Sequence, residues 1–192
     1  MKKVFLMLAA ALISMSAMAQ VQFGAKVGFD MTNFWGENVQ HGMKPGYQVG
    51  VLMEAKLSNN FAIAPEVVFA AQGGQYEILK VDHTFNTNYI NVPVMLKFYA
   101  SPNFSIDFGP QVGFNVYSKH SIEDNAVDFK NDTKTVDFGL GLGATYNITE
   151  NAFVQARYTM GLTKAVEGLE AIVYDVDGGK NGNIQVAFGW KF

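Results

Sequence analysis

Several groups of residues combine types that could do chemistry. His120 lies beside Ser118 and Ser121, and a histidine that draws a proton from a nearby hydroxyl underlies acyl-transfer and lipase reactions. All three sit in a polar stretch, as do His41 and His83. Neighbouring Ser and His in such stretches are far more often solvated surface than a catalytic pair, so no catalytic residue is assigned. Asp175, Asp177 and Asn181 could offer oxygen ligands to calcium, but the remainder of an EF-hand loop, including its closing Glu, is missing. Turn chemistry explains them better. Gly139, Gly141 and Gly143 alternate strictly, whereas a phosphate-binding loop must open a helix. There is no HExxH motif, and with no cysteine in the chain thiolate metal sites and Cys nucleophiles are excluded. No metal ligand and no cofactor are expected.

The most informative polar set is spread over the whole chain. Lys26, Lys56, Lys97, Arg157 and Lys191 occur with Glu54, Glu66, Asp107 and Asp137, and Gln48, Gln72, Gln111, Gln155 and Gln185 recur among them. Their meaning depends on the elements that carry them. In the last ten residues Ile184, Val186, Phe188, Trp190 and Phe192 alternate with Asn183, Gln185, Ala187, Gly189 and Lys191, the period of two that separates the faces of a strand. The same parity runs through 90–98, 104–115 and 136–147, and less cleanly through 21–32, 46–57, 61–72 and 152–163. Eight strands of about 10–13 residues are predicted, near the ~9–11 that a tilted strand needs to cross the hydrocarbon layer.

The connections alternate too. Ser58-Asn59-Asn60, Ser101-Pro102-Asn103 and Thr149-Glu150-Asn151 read as tight turns, with longer polar stretches at about 33–45, 73–88, 117–134 and 164–181 between them. Short turns at one rim and long loops at the other predict a closed antiparallel up-and-down barrel, all-β, with the long loops outside the cell and both mature termini in the periplasm.

Alternation alone also suits a soluble barrel with its apolar face inside. Volume separates the two. An eight-stranded lumen is just wide enough for side chains. The apolar face carries on the order of 40 large side chains, too many for that space. The opposite face is rich in glycine, including Gly24, Gly28, Gly50, Gly109, Gly113, Gly161 and Gly189. The apolar face is therefore expected to meet lipid. The nine charged residues then share the lumen with the glutamines, and confinement demands that they pair. A filled, hydrogen-bonded plug is the favoured reading, and a narrow ion or water path the alternative. Aromatic residues near strand ends (Phe23, Tyr47, Phe61, Tyr89, Tyr146, Trp190 and Phe192) suit interfacial girdles.

The first residues read as an export signal. Lys2 and Lys3 precede the apolar run Val4–Ile13 and the small-residue site Ala17-Met18-Ala19. That run falls short of the ~20 apolar residues of a membrane-spanning helix. Residues 1–19 are expected to be removed, leaving a barrel domain over 20–192. The whole chain carries 14 basic and 17 acidic side chains, and a mildly acidic chain with no basic run argues against nucleic-acid binding.

These segments resemble the outer-membrane β-barrel family of porin-like and PorT-like proteins, known mainly from Bacteroidota. The resemblance rests on Gly46-Tyr47-Gln48-Val49-Gly50, Leu57-Ser58 with Phe61, Pro65-Glu66 and Gln72-Gly73. It continues through Tyr89-Ile90-Asn91-Val92-Pro93 with Leu96-Lys97, Phe108-Gly109-Pro110, Asp137-Phe138-Gly139, Ala156-Arg157-Tyr158 with Gly161-Leu162, and the terminal Phe188-Gly189-Trp190-Lys191-Phe192. It implies a transmembrane barrel in the outer membrane of a Gram-negative bacterium, in contact with outer-membrane lipid. The terminal strand ending in Phe192 looks like the signal read by the outer-membrane assembly machinery. The resemblance implies no common activity, although one branch is associated with secretion. The expected role is non-enzymatic, with the external loops as the interaction surface; the alternatives are a small passive channel, a lipid-modifying enzyme or a secretion-associated barrel.

Overall fold

Where large apolar residues alternate with Gly, Gln and charged residues, neither face can be satisfied by a helix, and the backbone pairs with its neighbours instead. The computed structural model describes residues 20–35, 41–42, 44–78, 81–122, 125–128, 136–164 and 180–192. In chain order the strands are β1 (Gln20–Trp35), β2 (His41–Gly42), β3 (Lys44–Lys56), β4 (Phe61–Ile78), β5 (Val81–Ser101), β6 (Phe104–Ile122), β7 (Asn125–Asp128), β8 (Val136–Asn147), β9 (Ala152–Lys164) and β10 (Lys180–Lys191). Eight of them form the wall in the order β1-β3-β4-β5-β6-β8-β9-β10, every neighbour antiparallel, and β10 pairs back onto β1. The short strands β2 and β7 flank β4 and β6. The fold is a closed antiparallel eight-stranded barrel with meander order.

The register fixes the tilt. Lateral partners run from Asp30 through Gln185, Arg157, Gly143, Asp107, Lys97, Ala62 and Lys56 to Gln20. One circuit of the wall therefore ends ten residues down the strand on which it began. Such a stagger forces the strands to lean at roughly 35–45° to the barrel axis. Every residue of this row except Gln20, Gln185, Gly143 and Ala62 is charged, so the lean spreads charges from different strands over the depth of the lumen.

Three tight turns close one rim. Ser58 Oγ accepts from the amides of Asn60 and Phe61, and Thr149 Oγ1 from those of Asn151 and Ala152. The turns are also stitched sideways. Asn60 Nδ2 donates to the Tyr99 carbonyl at 3.0 Å, and Asn151 Nδ2 to the Lys191 carbonyl at 2.7 Å. At the seam the Phe192 amide donates to the Phe23 carbonyl.

At the other rim the structure departs from the expected strand lengths. β4, β5 and β6 are 18, 21 and 19 residues long, so much of the stretches at 73–88 and 117–134 continues the hairpins instead of forming loops. Antiparallel pairing needs only backbone groups in register, and it persists after the lipid-facing alternation has ended. His83, Ser118, His120 and Ser121 lie in these extensions, with His120 opposite Phe85 and Val127. Residues 165–179, with Asp175 and Asp177, lie outside the described residues.

The apolar parity faces outward. Phe29 is 77% exposed, and Val51, Phe108, Phe138, Leu142, Val186 and Trp190 are exposed around the wall. Phe23, Tyr47, Phe61, Tyr146 and Phe192 are exposed as well, which suits lipid-facing aromatics. Tyr89 corrects the expected girdle: it is buried and points inward, because it shares the parity of Asn91 and not that of Ile90.

Candidate functional site in the barrel lumen

The inward parity delivers polar side chains from all eight wall strands into a space one or two side chains wide. Near the turn rim, Glu54 of β3 is buried. Its Oε2 accepts from Lys97 Nζ of β5 at 2.9 Å and from Lys191 Nζ of β10 at 3.0 Å, and its Oε1 accepts from the Tyr99 hydroxyl. Lys191 also lies over the Phe153 ring, 5.6 Å from its centre. A vestibule of about 400 Å³ opens beneath this cluster, lined by Glu54, Lys56, Tyr99, Asn147, Glu150 and Lys191 among others.

A second cluster fills the middle. Arg157 of β9 grips Glu66 of β4 with both terminal nitrogens, Nη2 to Oε1 at 2.7 Å and Nη1 to Oε2 at 2.9 Å. Lys26 Nζ of β1 donates to the same Oε2 at 2.7 Å and to Gln155 Oε1 at 2.9 Å. The other end of Gln155 donates to Asp107 at 3.2 Å and to Thr145 Oγ1 at 3.1 Å. Asp107 accepts further bonds from Ser105 and Thr145. Each glutamate thus holds two cations, while Asp107 is satisfied by neutral donors. Forked, charge-assisted bonds of this kind are the strong ones inside proteins, and they offset the cost of taking the charges out of water only because nearly every donor finds an acceptor.

Of the nine charged positions named from sequence, Lys26, Glu54, Glu66, Lys97, Asp107, Arg157 and Lys191 build these two clusters. Lys56 instead stands exposed at the turn rim, 5.8 Å from the centre of the Tyr99 ring. Asp137 lines a cavity of about 30 Å³ toward the loop rim, with Gln72, Tyr89, Gln111, Thr159 and Asn183. Sequence reasoning passed over Tyr99, Ser105, Thr145 and above all Asp30, which is fully buried on the inward face of β1. Its even parity with Lys26 was the available signal. The weak alternation at the end of that strand obscured it. Among the described residues no group of three or more His, Cys, Asp or Glu gathers as a metal cluster.

Wall, closure and inward polar face together describe an outer-membrane barrel, and residues 14–167 match the outer membrane protein beta-barrel domain family. The chain belongs to that family. Its location is accordingly the outer membrane of Gram-negative bacteria. Solved structures share the architecture. Neisserial surface protein A superposes with a TM-score of 0.57 at 14% identity, over 90% of this chain and 99% of that one. Ail, the attachment invasion locus protein of Yersinia pestis, gives 0.54 at 13% identity with the same coverage, and its complex with the heparin analogue sucrose octasulfate gives 0.53 at 15% identity over 90% and 99%. At such identities the likeness is one of fold. No curated protein matches the chain.

Proposed function

We propose that this family member is a non-enzymatic outer-membrane scaffold whose lumen is closed by its own side chains and whose long hairpins act as an external interaction surface. The observation that carries the reading is the stacking of the Glu54 and Glu66 clusters across the barrel, whose buried, hydrogen-bonded ion pairs support a closed lumen. Freely conducting porins have about 16–18 strands, and here Lys26, Met95 and Phe153 are among the largest fully buried side chains. Rigid walls that continue into long β4–β5 and β6 hairpins suit display of a binding surface, since binding residues concentrate on loops held by a stiff frame. Ail has been crystallised with a heparin analogue, and a polyanion is accordingly one ligand class to present to these loops.

The same proposal includes removal of residues 1–19 on export and recognition of β10 with the following Phe192 by the assembly machinery. The PorT-like affiliation and a secretion role stay within it as narrower readings. Planar bilayers supply the test. The purified protein should leave the membrane without steady conductance at neutral pH. A stable open level that shifts on substitution of Glu66 or Arg157 would replace the scaffold with a passive channel. Lipid hydrolase activity that is lost in His120→Ala would replace it with an enzyme.

A further inference from the structure

The upper half of the lumen, between the Glu66 cluster and the loop rim, is built differently from the rest. Asp30 is wholly buried, and no cation bonds to either carboxylate oxygen. Around it, Thr32 Oγ1, Gln48 Oε1 and Nε2, Thr159 Oγ1 and Asn183 Oδ1 are buried without partners. These groups are contiguous. Thr32, Asn183 and Thr159 form one lateral row across β1, β10 and β9. Asp30 lies two residues below Thr32 on the same face, and Gln48 stands opposite Gly28 on the other side of β1. Thr159 and Asn183 also line the 30 Å³ cavity that Asp137 borders. About 10–15 Å³ of such space admits one water-sized particle, so the cavity has room for a small ion and one retained water, with Thr32 and Asp30 next to its lining on the neighbouring strand.

Charge points the same way. The two lower clusters set four cations against Glu54, Glu66 and Asp107, whereas the described side chains of the upper half carry Asp30 and Asp137 and no base. Gln72, a neutral donor, is within hydrogen-bonding reach of Asp30, and the Lys26 ammonium that acts on it from further off is already bound to Glu66 and Gln155. A buried carboxylate without a cationic partner either gives up its charge or acquires a counter-ion. A proton would satisfy one neighbouring oxygen and leave the others stranded. A metal cation would satisfy them together.

We propose that the upper lumen is a binding chamber for a hard metal cation, anchored on Asp30 and completed by the oxygens of Thr32, Gln48, Thr159 and Asn183, with Asp137 at its mouth. All donors are oxygen, the set preferred by calcium and other hard ions. With a single carboxylate at its centre, the chamber has the low charge of sites that bind at about 10⁻⁴–10⁻³ M. The inference is independent of what the external loops bind, and it adds a site above the plug.

The test uses protein purified from the outer membrane into detergent and stripped with a chelator. Thermal unfolding is followed by circular dichroism in CaCl₂, in NaCl and in choline chloride of equal ionic strength. The wild-type midpoint should rise saturably with calcium or sodium beyond its value in choline, and the ion acting at the lower concentration identifies the preferred charge. Asp30→Asn should abolish that rise, weakening the apparent affinity by about tenfold or more, while unfolding in choline no earlier than the wild type. Should Asp30→Asn fail to fold, paired Thr159→Val and Asn183→Leu substitutions remove neutral ligands, and terbium emission sensitised by Tyr89 reads binding directly; it should fall in that variant. Equal gains in choline, a rise that survives Asp30→Asn, an early transition of that variant in choline, or terbium emission unchanged by the paired substitutions would each overturn the proposal.

Discussion

Glu66 accepts three hydrogen bonds from two cations that belong to strands β1 and β9, far from β4 in sequence. Removing it strands Lys26 and Arg157 in a buried site. Glu66→Ala should therefore destabilise the barrel by about 3–5 kcal/mol, measured by urea unfolding in lipid vesicles. Replacing Lys26, Glu66 and Arg157 together by apolar residues of similar volume should cost much less, because no charge is then left unpaired. A triple variant as unstable as Glu66→Ala would show that packing, not charge, dominates there. Tyr99→Phe tests the lower cluster: loss of its bond to Glu54 should cost about 1.5–3 kcal/mol, the range for a hydrogen bond to a charged group.

Strands in this chain depend on small residues where large neighbours cross the lumen. A Cβ on Gly189 of β10 would run into the ring of Phe153 on β9, and that ring supports Lys191. Gly189→Ala should lower stability by about 1–3 kcal/mol through overpacking. Phe153→Leu in the same chain should restore part of the loss, and a purely additive pair would refute the contact. At the turns, Asn60 and Asn151 each tie a hairpin to the carbonyl of the next strand. Asn60→Ala should cost about 1 kcal/mol and appear first as faster amide exchange at Tyr99, whose own amide donates to the Asn60 carbonyl. These elements were legible in the sequence, since alternation marked strands and Ser-x-Asn or Thr-x-Asn marked turns. The lengths of β4, β5 and β6 were not, because pairing beyond the membrane band needs no apolar pattern.

The whole molecule is a barrel with the large exposed apolar residues of its wall facing outward, and among the described inward side chains the paired cations lie in the Glu54 and Glu66 clusters while Asp30 and Asp137 lie nearer the loops. Its orientation is testable. Epitope tags near Asn125 and Gly178 should be reached by antibody on intact cells, whereas a tag at Asn59 should be reached only after permeabilisation. The reverse pattern would invert the barrel in the membrane and place the Asp30 chamber on the periplasmic side.

Local patterning alone determined the strand faces, the tight turns and the choice of lumen for most of the charged residues, because a period of two assigns each side chain to a face wherever the strand goes. Only the tertiary structure decided which charges meet. The ten-residue stagger of the closed wall brings Glu66 to Lys26 and Arg157, and Glu54 to Lys97 and Lys191. It leaves Lys56 at the rim and Asp30 without a cationic partner. Parity is a property of neighbouring residues. Depth in a tilted barrel is a property of the closed circuit, and no single strand encodes it.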